Sequence, residues 1–128
     1  MSGNIKAVKQ HLAAGTDVNE KGLYGGTPLV LTESREIIEL LIAAGADVNY
    51  SPANGITPLA NAVIREDKQS AELLISSGAD VNSKDREGHT PLDTANIIVT
   101  SKAALKEITA LLRKHGGKTA EELKAEGK

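Results

Sequence analysis

Residues 78–92 read GADVNSKDREGHTPL, and the chain writes nearly the same phrase twice before, as GTDVNEKGLYGGTPL at 15–29 and GADVNYSPANGITPL at 45–59. Each copy opens with Gly, Asp, Val and Asn at fixed offsets and closes on Gly-x-Thr-Pro-Leu, while its middle varies. Thr27 and Thr57 are 30 residues apart, and Thr57 and Thr90 are 33 apart. Similarity to itself at such a period marks an array of stacked units, because one unit cannot bury its apolar face alone.

The ends of the phrase have mechanical readings. Thr27, Thr57 and Thr90 are helix N-caps, and the following Pro occupies the first helical position, where its missing N–H costs nothing. Gly15, Gly45, Gly78 and Gly116 each follow an apolar run and are placed to stop a helix in the left-handed conformation. Asn54-Gly55 between them is a hairpin signal. Each unit therefore reads as a hairpin-like turn, a short first helix, a return helix and a glycine stop. The return helices carry Ile5, Val8 and Leu12, then Ile37, Ile38, Leu41 and Ile42, then Ala71, Leu74 and Ile75, and finally Leu105, Ile108, Leu111 and Leu112. These recur at the three- and four-residue spacing of one apolar helical face.

Composition narrows the function. Fifteen basic against 17 acidic residues leave the chain near neutrality, which argues against a nucleic-acid or anionic-membrane surface. Phe, Trp and Cys are absent, and Tyr24 and Tyr50 are the only aromatics. The core must therefore be built from Leu, Ile, Val and Ala, stacking platforms for single-stranded nucleic acid are missing, and a reducing, cytoplasmic setting fits. The start, MSGNIKAVKQHL, lacks the apolar stretch of a signal peptide, and the most apolar window, IIELLIAA at 37–44, is too short to span a membrane. A soluble protein is expected.

GADVN followed by GxTPL at constant offset resembles the ankyrin repeat, a 33-residue unit, and the resemblance extends from the start to about Gly117. It implies an all-α repeat, an α-solenoid of stacked helix-turn-helix units joined by hairpin-like loops. The units are a truncated one at 1–19 with only a return helix, a shortened one at 20–49, a standard one at 50–82, and one with an insertion at 83–117. Residues 118–128 form a polar cap helix and tail. The family pattern places His after Thr-Pro-Leu, bonding the Thr hydroxyl and linking neighbours. Val30, Ala60 and Asp93 stand there instead, so the link is expected to be missing throughout. Three residues lost around TESR make the helix at 28–33 short, with Ser34 capping the next. Five gained around IIVTSKAALKEI should lengthen or kink the last return helix near Thr100 and Ser101. Amide exchange is expected to be faster in residues 1–33 than in 57–80, with 105–114 among the protected elements.

No catalytic constellation, cofactor site or metal site emerges. His11, His89 and His115 fall in different units without ligand spacing, and Asp17, Asp47 and Asp80 recur with the repeat as turn residues. GGKT at 116–119 echoes the end of a phosphate-binding loop, but Leu112 stands where that loop needs Gly, and a helix precedes it. Gly116-Gly117 reads as a helix stop and Thr119 as a cap.

The resemblance implies a non-catalytic module that binds another protein through hairpin tips and first-helix faces. Carried over by position, the contact residues are Leu23, Tyr24, Ala53, Asn54, Ile56, Ile64, Arg65, Arg86, Glu87 and His89. The insertion leaves the standing of Ile97 and Ile98 open, and packing between neighbouring hairpins is a second reading of Leu23 and Ile56. A monomer is expected in preference to a homo-oligomer. The alternative is a self-assembling or spacer module that uses the incomplete N-terminal unit, with Val30 exposed, as its contact surface.

Overall fold

The computed structural model of the chain describes residues 9, 10, 13–15, 17–20, 27–32 and 34–127. Seven helices are bounded within these residues, none of which forms a strand. They are α1 (Pro28–Leu31), α2 (Arg35–Ala43), α3 (Pro58–Ile64), α4 (Lys68–Ser76), α5 (Pro91–Ile98), α6 (Lys102–Lys114) and α7 (Ala120–Ala125). The first helices α1, α3 and α5 stack in one layer and the return helices α2, α4 and α6 in a second, each first helix also packing on its own return helix. This is the all-α solenoid that the resemblance implied. Ile5, Val8 and Leu12 lie outside the described residues.

The core runs unbroken between the layers. Leu29, Leu59, Val63, Leu92 and Ala95 come from the first helices, and Ile38, Leu41, Ala71, Leu74, Ile108 and Leu112 from the return helices. Aliphatic side chains of this size contribute about 1.5–3 kcal/mol each when fully buried. The return-helix faces are those the spacing marked, with Ile42 and Leu105 only partly buried at the edge.

Local chemistry sets the helix ends. The Thr57 and Thr90 hydroxyls accept the N–H of Ala60 and Asp93, and Ser34, Asp67, Ser101 and Thr119 cap α2, α4, α6 and α7 in the same way. Thr27 departs from the expectation and makes no side-chain cap. In this four-residue helix the Val30 N–H turns to the Thr27 carbonyl, at 3.1 Å, rather than to its hydroxyl. The stop at Gly78 shows why glycine recurs there: its φ of +101° is a conformation that a Cβ opposes.

The insertion lengthens the return helix, to 13 residues in α6 against nine in α4. It does not kink it. Val99 leaves α5 in extended backbone with its side chain buried, and Ser101 caps α6 as a separate helix. Thr100 and Ser101 thus form a break between helices, because a capping serine offers the backbone an alternative to continuing the turn.

The turn residues stitch unit to unit. Asp17, Asp47 and Asp80 each accept the N–H two residues on, at 2.9 Å. The Asn of the same phrase reaches across to the next glycine stop. Asn49 Nδ2 donates to the Gly78 carbonyl at 3.0 Å while its Oδ1 accepts the Asp80 N–H at 2.7 Å. Asn19 does the same with Gly45 and Asp47, and Asn82 with Gly116 and Lys118. A side chain with both donor and acceptor is needed for this clamp, which explains Asn rather than Asp at that offset.

The expected absence of a link through the post-Leu position needs correction in the last unit. Asp93 Oδ2 accepts the Thr90 N–H at 3.1 Å and the Ala120 N–H at 2.9 Å, and the Thr90 hydroxyl lies 2.6 Å from the Lys118 carbonyl. The Thr90 hydroxyl has one proton, and the shorter contact assigns it to Lys118. Asp93 and Thr90 together fasten the C-terminal segment, with Leu123 of α7 buried beneath it.

Candidate functional site

Two hairpin turns lie side by side on the edge of the first-helix layer. In one, the Gly55 N–H closes on the Pro52 carbonyl at 2.8 Å and Asn54 Oδ1 accepts the Ile56 N–H at 2.9 Å. In the other, Asp85 Oδ1 accepts the N–H of both Glu87 and His89, and the Asp85 N–H donates to the His89 carbonyl, each at 2.9 Å. The Arg86 N–H donates to the Asn54 carbonyl at 3.3 Å and joins the two turns. They abut so closely that a Cβ on Gly55 would lie 2.5 Å from the Arg86 nitrogen, and Gly55 has a φ of +75° besides. Both demands select glycine there.

Between these turns and the helices lies a groove of about 230 Å³. Ile56, Ile64, Ile97 and Ile98 form its apolar walls, Ala60 and Thr94 contribute from the helices, and Asp85, Glu87 and His89 edge it from the second turn. Ile97 and Ile98 are 63% and 42% exposed and are the only large apolar side chains so exposed among the described residues. They are exposed because the chain quits α5 at Val99, which takes the buried position while the two preceding isoleucines remain outside.

Of the sequence-predicted contact residues, Ile56, Ile64, Glu87 and His89 converge on this groove. Ala53, Asn54 and Arg86 are exposed on the turn tips beside it and do not line it. Arg65 is half-buried and folds back so that Nη1 lies 3.5 Å from Asp67 Oδ2, the carboxylate that caps α4. Leu23 and Tyr24 lie outside the described residues. Ile97 and Ile98, left open in the sequence, belong to the groove; an adjacent apolar pair at a helix end has no periodicity to say which way it faces. Ile56 is half-buried there, so it packs against its surroundings and meets solvent as well. His89 Nδ1 lies 3.8 Å from Asp85 Oδ2, and His115 is exposed.

Two larger furrows, of about 600 and about 570 Å³, run along α6. Lys102, Lys106 and Arg113 line one, and Lys68, Glu107 and Lys114 the other. Arg113 is held by Glu122 at 2.7 Å and Lys68 by Glu107 at 3.6 Å. No group of three or more His, Cys, Asp or Glu side chains among the described residues is arranged to hold a metal ion. Lys118 of the GGKT string pairs with Glu126, and the carbonyls of Gly116 and Gly117 accept from Asn82 and Arg113.

A family model for ankyrin repeats (3 copies) matches residues 1–85 and again 33–120. The chain belongs to the ankyrin repeat family. A search of curated proteins finds none that matches it. Ankyrin repeats are generally protein–protein interaction modules and typically non-catalytic. Among the described residues, no helix of this ankyrin protein is long and apolar enough to cross a membrane.

Proposed function

We propose that this chain is a non-catalytic binding module that docks a segment of another protein in the Ile56–Ile64–Ile97–Ile98 groove. The observation that carries the reading is the exposure of Ile97 and Ile98 at the mouth of a groove assembled from two successive repeats. Apolar side chains walled by a polar rim match the anatomy of a protein interface. The volume, about 230 Å³, falls below the roughly 300–1,000 Å³ of small-molecule sites and suits individual side-chain anchors. The turn tips carrying Ala53, Asn54 and Arg86 extend the contact surface as its rim.

The reading in which Val30 offers an exposed patch for self-assembly has less support. Val30 is half-buried, and its carbonyl accepts from Asn61 Nδ2 of the next first helix at 3.2 Å. The test is selection of displayed random peptides on the immobilised full chain, followed by affinity measurement with wild type and Ile97→Glu. Ile97 is mostly exposed, so the variant should keep its thermal midpoint while affinity falls about tenfold or more, as loss of an anchor at an interface centre does. Recovery of no peptide that distinguishes wild type from Ile97→Glu would sink the proposal.

A further inference from the structure

The groove is not electrically neutral. Its charged lining residues are Asp85 and Glu87, with His89 beside Asp85. Two Asp85 bonds go to backbone N–H groups, which leave its negative charge in place. Glu87 is exposed and has no cation within ion-pair distance among the described residues. The nearby cations do not compensate from within the groove. Arg65, next to Ile64, is turned to Asp67, while Lys84 and Arg86 are exposed on the turn and do not line the walls. An apolar slot is therefore bordered on its hairpin side by carboxylates.

Resting on the binding reading above, we infer that the occupant is a polypeptide segment with an aliphatic or aromatic anchor next to Lys or Arg. The anchor enters between Ile64, Ile97 and Ile98, and the neighbouring cation faces Glu87 and Asp85. Charge complementarity of this kind selects the partner and sets its register more than it adds affinity. It also disfavours a second copy of this chain. A symmetric dimer through this groove would set the same patch against itself, carboxylates included. Two exposed isoleucines also supply little of the roughly 800 Å² per partner that a stable interface buries.

The experiment reads the sequences of peptides selected on the full chain and measures their affinities for wild type and Glu87→Lys. Enrichment of Lys or Arg within a few residues of an apolar anchor is expected. Glu87→Lys should weaken a recovered peptide roughly fivefold at low salt, the scale of an exposed charge pair. Replacing that peptide's cation with Glu should restore binding to Glu87→Lys, a rescue that a folding defect cannot produce. Recovered peptides that depend on Ile97 but show no basic enrichment, or that ignore Glu87→Lys, overturn this inference and leave the groove reading standing. Sedimentation of the free chain supplies the remaining arm: dimers abolished by Ile97→Glu would overturn the inference in favour of a second copy.

Discussion

Thr27 and Thr90 occupy the same place in the repeated phrase, are both buried, and end up in opposite circumstances. Thr90 caps α5, donates its hydroxyl to the Lys118 carbonyl and sits in a reciprocal capping box with Asp93. Among the described residues the buried Thr27 hydroxyl has no hydrogen-bond partner, and α1 is a single turn. The reciprocal half of the Thr90 capping box needs a carboxylate at the third helical position, which Asp93 supplies and Val30 does not. Thr57, with Ala60 there, still caps α3 through its hydroxyl, so the missing cap at Thr27 goes with the single-turn α1 rather than with Val30 alone. A repeat phrase thus specifies where a helix begins, whereas the reciprocal capping box depends on one residue outside the invariant string.

The largest expected effect breaks the stronger end. Asp93→Val strips the acceptor from the Thr90 and Ala120 N–H groups and should cost about 2–3 kcal/mol, since hydrogen bonds to a charged group are being lost. Denaturant unfolding measures the total, and amide exchange should show α7 loosening first. A loss under half a kcal/mol, with α7 still protected, would mean that Asp93 adds little to the capping box.

A smaller effect, of opposite sign, repairs the weaker end. Val30→Asp places a carboxylate where α5 has one and gives the Thr27 hydroxyl an acceptor. A gain of about 0.5–1 kcal/mol is expected, reduced by whatever apolar contact Val30 now makes. Amide exchange in wild type should be faster in α1 than in α3, with α6 among the slowest, and the substitution should narrow the gap at α1. Equal exchange in α1 and α3 of the wild-type chain would show that the unpaired hydroxyl does not weaken that end.

The smallest effect concerns acid. The Arg113 guanidinium, and after it the Thr119 N–H, hold the Glu122 carboxyl down at about 2 from its ordinary 4.5. A depressed carboxylate stabilises the fold fully above its unfolded value, and that stabilisation drains away as pH falls through the folded value. Attachment of α7 should therefore weaken between about pH 4.5 and about 2. Glu122→Gln should remove this component of the pH dependence. An unchanged acid profile in the variant would assign the loss to other carboxylates.

The contact residues chosen from sequence were legible in part. The hairpin positions follow from the fixed distance between the glycine stop and the Thr-Pro start, which is why Ile56, Glu87 and His89 could be placed on the turns that border the groove. Arg65 lies beside the groove rather than in it because Asp67, two residues on, draws its guanidinium. Ile97 and Ile98 stand at the same offsets from Thr90 as Ile64 and Arg65 do from Thr57, but the insertion around them left open whether the helix would turn them inward or end there.

Sequence alone determined the period, the helix starts at Pro28, Pro58 and Pro91, the glycine stops and the buried faces of the return helices. Those features are set within a few residues by ring closure at proline, left-handed backbone at glycine and the 3.6-residue turn. Only the tertiary structure decided that the Asn of each phrase clamps the next unit, that Asp93 fastens the C-terminal segment, and that Ile97 and Ile98 face a groove with Glu87. Each of these joins residues that local preference does not connect, 26 to 36 positions apart for the clamps, and stacking alone sets which groups lie opposite one another.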